Sequence, residues 1–320
     1  MQATLTLVVP FFGLIVLGYA AGRLLAIPRE GTAALEGLVR YVALPILFFT
    51  YIAETPVEQF AGIAFVLATA FSTYCAFAIA FSIGALLNRG NVAEATLQGL
   101  AGSWSNTALL TPGLIIAMFG PVAAAPIAFV FCLDAIILIA VTPAMMALGG
   151  VDYRRPAEMA AAIVRQILGQ PIIIATVLGL VAAYSGLSWP EPVDAFFAAA
   201  RGAAAPAALF AAGAIVATVR PVIVPREVAY LAVGKLIIHP MIVYVLLGWI
   251  GDFPPIWVYS AVLVAALPAA PEVIAHARTY GAIESRAGQF VLAITALSVV
   301  TLTALVYLIG NRILPPDLFP

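Results

Sequence analysis

Charge is scarce in this chain. Its 320 residues include 14 Lys and Arg, 15 Asp and Glu and 2 His, for a net charge of −1. No basic patch stands apart from the short loops, so a nucleic-acid partner is excluded. Two cysteines, Cys75 and Cys132, are too few for a disulfide framework or a zinc site. Both fall inside apolar segments, where a thiol packs as a small hydrophobe. A nucleophile with its base, metal-ligand spacing and a phosphate loop are all missing, which argues against an enzyme and against a primary pump. The links between apolar runs are too short to hold a soluble domain.

What fills the chain is hydrocarbon: 64% of residues are hydrophobic and the mean hydropathy is +1.12. That composition is the mark of an all-α polytopic membrane protein. Ten spans are expected, at about 3–26, 35–53, 59–88, 92–119, 121–147, 161–184, 195–219, 228–250, 256–280 and 285–311. The first has no basic n-region and outruns a signal peptide, so it is read as a retained helix. Lys and Arg placement orients the spans. Arg23, Arg29, Arg40, Arg89, Arg154, Arg155, Arg165, Arg220, Arg226, Arg278 and Arg286 collect on one side, against Arg201 and Arg312 on the other. The first loop is therefore expected in the cytoplasm, and both termini outside a cell (inner) membrane.

Two spans are interrupted near their centres. One reads Gly102-Ser103-Trp104-Ser105-Asn106-Thr107 and runs on to Pro112-Gly113; the other reads Ala265-Ala266-Leu267-Pro268-Ala269-Ala270-Pro271-Glu272. A broken helix frees backbone N–H and C=O groups, tolerated at membrane depth only where protein or a polar cavity satisfies them. Paired interruptions in corresponding halves point to the binding site of a secondary transporter.

The halves also match. Ten helices make two sets of five, and because five is odd, similar halves must run in opposite directions. At an offset of 161 residues Pro10 meets Pro171, Leu17 meets Leu178 and Gly18 meets Gly179. In the next span Arg40 meets Arg201, Ala43 meets Ala204, Pro45 meets Pro206 and Phe49 meets Phe210. Asn106-Thr107 lands on Leu267-Pro268, so the breaks coincide. The expected organisation is a first repeat at 1–147, a cytoplasmic linker at 148–160 and an inverted second repeat at 161–320.

The Gly-Ser-aromatic-X-Asn-Thr segment ending in Pro112, the Val42-Ala43-Leu44-Pro45 helix, and Ala-Ala-Leu-Pro followed by His276-Ala277-Arg278-Thr279-Tyr280-Gly281 carry a resemblance. On these residues the chain resembles a bacterial member of the auxin efflux carrier family, along essentially its whole length. The resemblance implies the ten-helix fold shared with bile acid:sodium symporters. It further implies a scaffold of helices 1, 2, 6 and 7, a transport domain of helices 3–5 and 8–10 with helices 4 and 9 crossing, and a homodimer through the scaffold. Family substrates are organic anions: auxin in plants, and carboxylates such as malonate, malate or lactate in bacteria. Pro271-Glu272 departs from the Ala-Asn common in bacterial relatives.

The candidate site follows from the breaks. At 1.5 Å per residue, Asn106 lies roughly 20 Å and Pro268 roughly 18 Å along their spans, both near midplane. The outgoing half-helices are expected to start near Pro112 and Pro271, offering unpaired N–H groups and positive dipole ends to a carboxylate. Ser103, Asn106, Thr107, Pro112, Pro268, Ala270 and Pro271 are the substrate-binding candidates; the bland reading is tight packing around a kink. Glu272 at midplane is either a first-turn acid on the helix dipole or a coupling site for a proton or cation. Asp134 in span 5 and the i, i+4 pair Lys235 and His239 in span 8 are expected to interact, as a structural ion pair or a proton relay. His276 is a candidate at the inner exit. No cofactor or metal is expected, and coupling to Na+ or H+ stays open. The expected function is an alternating-access carrier of a small organic anion, the alternative being a sodium-coupled symporter of the bile acid type. A channel is disfavoured because a pseudo-twofold single chain offers no ring of like residues.

Overall fold

A computed structural model describes residues 2–60, 62–152, 154–187, 189–219 and 224–318. Arg220, counted above on the basic side, lies outside the described residues, as does the side chain of Arg29. Among the described residues there are helices and one isolated antiparallel bridge, and no strand. In chain order the helices are α1 (Thr4–Leu24), α2 (Glu30–Ala53), α3 (Ile63–Leu87), α4 (Val92–Ser103), α5 (Thr107–Phe119) and α6 (Pro121–Leu148). They continue with α7 (Pro156–Leu168), α8 (Pro171–Ser185), α9 (Glu191–Ala217), α10 (Val228–Ile250), α11 (Pro255–Ala266), α12 (Glu272–Thr279) and α13 (Glu284–Gly310). Seven of these, α1, α2, α3, α6, α9, α10 and α13, are long and apolar enough to cross a membrane.

The remaining expected spans are interrupted. The segments at 92–119 and 256–280 each consist of two shorter helices, α4 with α5 and α11 with α12. The segment expected as one straight span at 161–184 is instead α7 and α8, bent by 55°. The cause is local: Gly169 weakens the helix, and Gln170 is extended (φ −75°, ψ 114°) because Pro171 follows it. Prolines also widen continuous helices. α2 passes through a π turn at Val39–Ala43 just before Pro45, and α10 through another at Gly234–Ile238 just before Pro240. Each proline lacks an N–H and crowds the carbonyl four residues back, and the wider turn absorbs the mismatch.

The chain forms two compact units. The first comprises 1–62, 107–132 and 169–218; the second comprises 63–106, 133–168 and 219–320. The first therefore holds α1, α2, α5, α8, α9 and the start of α6. Its tightest seam joins α1 to α9 through glycines. A Cβ on Gly18 would lie 2.1 Å from the Phe210 carbonyl oxygen, and one on Gly213 would lie 1.9 Å from that of Ile15. α8 meets α2 in the same way, a Cβ on Gly179 falling 2.9 Å from the Phe49 oxygen. Small residues let helix backbones approach where lipid offers no hydrophobic drive for association. In the second unit α4 packs on α3, with Gly99 under the Phe77 ring and Gly102 against Ala80. Arg286 on α13 ties this unit together by pairing with Glu94 and, at 2.7 Å, with Glu227.

Gly213→Ala is expected to push α1 from α9, since the neighbours it meets are backbone atoms. Overpacking of this kind costs about 1–3 kcal/mol, read as a lower Tm in detergent. Gly37→Ala, where a Cβ meets nothing within 4 Å, is the control expected to hold or slightly raise Tm, since alanine is the better helix former.

Candidate functional site

The two breaks meet in the second unit, held together by backbone. Helix α4 ends at Ser103, and Trp104 is extended (φ −73°, ψ 114°). Helix α11 ends at Ala266, and Leu267 is extended (φ −61°, ψ 149°) before Pro268. Between these two extended stretches Ser105 and Ala269 form the antiparallel bridge. The Asn106 N–H donates to the Pro268 carbonyl at 2.9 Å, and the Ala270 N–H donates to the Trp104 carbonyl at 3.0 Å. Groups that each broken helix would leave unsatisfied in hydrocarbon thus satisfy one another.

This pairing revises the donor arrangement expected from the sequence. The N–H groups of Asn106 and Ala270 are already engaged, and α12 starts at Glu272 with further turn bonds from Val273 to Ala270 and from Ile274 to Pro271. On the other side of the first break the half-helix begins at Thr107, not near Pro112. Pro112 instead opens the π turn Pro112–Ile116 within α5. Thr107 and Pro112 belong to the first unit, whereas Ser103, Asn106, Pro268, Ala270, Pro271 and Glu272 belong to the second. The Ser103 hydroxyl turns back to donate to the Gly99 carbonyl at 2.8 Å, so its local role is to tie the end of α4.

Beneath the bridge lies a buried polar chain. Lys235, fully buried on the π turn of α10, donates through Nζ to Ser105 Oγ at 2.9 Å and to the Ala265 carbonyl, and faces His239 Nδ1 at 3.3 Å. An ammonium has three donors: two go to these oxygens, and His239 Nδ1 takes the third in the tautomer protonated at Nε2. With Nδ1 accepting, the His239 proton sits on Nε2, which faces Thr73 Oγ1 at 3.3 Å. Thr73 in turn donates to the Thr69 carbonyl at 3.3 Å. The Thr73 hydroxyl lies beside the carboxyl of Asp134, which also feels the charge of Lys235. Asp134 is buried, and its Oδ1 has no hydrogen-bond partner. The expected interaction of Asp134 with Lys235 and His239 therefore runs through Thr73 and across space, while Lys235 and His239 touch directly.

Around the bridge almost everything is buried; of residues 102–106 and 267–272 only Trp104 and Glu272 are half-exposed. Glu272 interacts electrostatically with His276, one turn on in α12. The His276 ring lies 5.6 Å from that of Trp104 and 6.4 Å from that of Tyr280. Three participants were missed by the sequence reading: Ser105, Thr73 and the Ala265 carbonyl. Ser105 lay inside the quoted motif and was detectable as a hydroxyl in a break. Thr73 had no such signal among the small hydroxyl residues of α3.

The family described as membrane transport protein matches residues 3–306 of this chain. A Rhizobium meliloti (strain 1021) protein named "Putative malonate transporter" is 42% identical over 315 residues, which cover 98% of each chain.

Asp134→Asn is expected to leave the buried Lys235 amine without its nearby countercharge. Removing one member of a buried pair costs roughly 3–5 kcal/mol, so the variant should unfold at a clearly lower temperature. Asp134→Asn combined with Lys235→Met should recover most of that loss in the same thermal assay.

Proposed function

The chain belongs to the membrane transport protein family, the auxin efflux carriers, and from that premise we propose that this multi-pass membrane protein carries a small carboxylate by alternating access. The observation that carries the reading is the bridge at Ser105 and Ala269, which holds two broken helices together at one point. Broken helices stitched into a polar junction are how transporters of this kind build a midplane site. The relative's name carries malonate, and a short dicarboxylate suits a site in which only Trp104 and Glu272 of the break residues reach the surface.

Two inverted repeats and ten spans are part of the proposal. They gain support from a symmetric pair of contacts: Gly18 packs on Phe210 and Gly179 packs on Phe49, and both residues of the first pair map to the second by the offset of 161. The second unit, which holds both sides of the bridge, suits the transport domain; the first holds α1, α2, α8 and α9 of the expected scaffold but also α5 and the start of α6, which the family division assigns to the transport domain. The reading also takes from the family a homodimer through the scaffold. From the arginine bias it takes a cell membrane location with both termini outside.

For coupling, Lys235 favours sodium independence. Its Nζ already engages Ser105 Oγ and the unwound Ala265 carbonyl, oxygens of the type a sodium ion would need. Glu272, at the first turn of α12, is the proposed coupling residue: its carboxylate repels an incoming anion unless a coupling ion accompanies that anion.

Counterflow in proteoliposomes, with labelled malonate and with malate, lactate and indole-3-acetate as competitors, tests the reading. Saturable exchange is expected, unaffected when choline replaces sodium. Asn106→Ala should lower exchange about tenfold or more, the loss of a hydrogen bond to a charged group. Glu272→Gln, which removes the carboxylate's charge, should change the rate of exchange and weaken its response to an imposed cation gradient. No exchange of any acid by folded protein overturns the carrier reading, and strict sodium dependence overturns the role given to Lys235.

A further inference from the structure

Trp104 is the one large apolar side chain among the break residues that is not buried. Its neighbours Ser103, Ser105 and Asn106 are no more than 5% exposed, as are Ala269 and Ala270 across the bridge. The backbone of Trp104 is fixed at both sides, by the helix bond from its own N–H to the Leu100 carbonyl and by the bond its carbonyl accepts from Ala270. The indole is fixed as well. It lies on the His276 imidazole at 5.6 Å and 36°, and His276 stacks on Tyr280 at 14°. Glu272 and His276 lie one turn apart on one face of α12 and Tyr280 follows at its C-terminal cap, so the indole rests on the row of side chains that begins at Glu272.

A large ring held at the backbone and on its face cannot swing aside cheaply, because leaving its rotamer also breaks the stack. We propose that Trp104 is the specificity-determining residue of this site: its indole, seated on His276, occupies the room beside the break that a longer or ringed acid would require, and so restricts the cargo to short carboxylates. This rests on the reading that the breaks hold the substrate. Trp104 acts here by volume. His276 is the positioning residue, since it sets where the indole lies.

The test is competition against labelled malonate in proteoliposomes, using straight-chain dicarboxylates from malonate to adipate together with phenylacetate and indole-3-acetate. One methylene in a fitted pocket is worth about 10–200-fold in discrimination. Trp104→Ala is therefore expected to raise the potency of adipate and of the ringed acids relative to malonate by about tenfold or more. Trp104→Phe, which keeps a ring on His276, should fall between. His276→Leu, which removes the platform but leaves the indole, should relax the size limit in the same direction. Folding is checked by elution profile and Tm; if Trp104→Ala fails that check, the Phe and His276→Leu variants decide. Folded variants that keep the original rank order of acids overturn the proposal while leaving the carrier reading intact. If the unmodified protein exchanges no carboxylate, the carrier reading fails and this proposal falls with it.

Discussion

Every backbone N–H and C=O in the hydrocarbon must find a partner within the protein, and the structure of the second unit depends on how that demand is met at two helix breaks. Trp104–Asn106 and Leu267–Ala270 leave helical geometry, and each stretch supplies what the other lacks. A two-stranded fragment one bridge long does at this point what no single helix end can do. It needs small side chains at the closest approach, and Ser105 and Ala269 provide them. The arrangement also has a cost for ligand binding: donors used to join the breaks are not available to an anion. In the proposed carrier reading, recognition then falls to side chains: Asn106 at the break, with Trp104 and His276 beside it.

The buried amine of Lys235 depends on the same junction. Its acceptors are the Ser105 hydroxyl from one break and the Ala265 carbonyl from the other, so α10 is bonded to both sides of the bridge. The π turn before Pro240 is what brings Lys235 and His239 to this place in α10. A buried cation in a membrane protein is costly unless its donors are satisfied and a countercharge is near. Here the donors are satisfied directly, and Asp134 stands behind Thr73 as the nearby charge. The polar chain therefore belongs with the structural integrity of the junction.

Much of this was readable from residue order. Apolar runs of span length marked the long helices, and proline with small residues marked where two of them break. Gly18 and Gly179, one glycine from each of the α1–α9 and α2–α8 seams, were visible as a matched pair at a fixed offset, whereas Gly213 was not. Local misreadings have local reasons. The run at 161–184 kept its hydropathy through Gly169-Gln170-Pro171, so the bend left no trace in an average. Pro112 has the look of a first helical residue, but Thr107 begins the helix well over a turn earlier, and a proline is equally at home in the π turn it opens.

Sequence alone determined the membrane class, the places where helices must break and the charged residues too costly to be incidental, because hydropathy and backbone chemistry act over neighbouring residues. Tertiary structure alone decided which donors the junction consumes and which acceptors hold Lys235. Those contacts join residues 130 positions apart for Ser105 and Lys235, and 166 apart for Thr73 and His239. No local periodicity encodes such meetings; they exist only once the helices are packed.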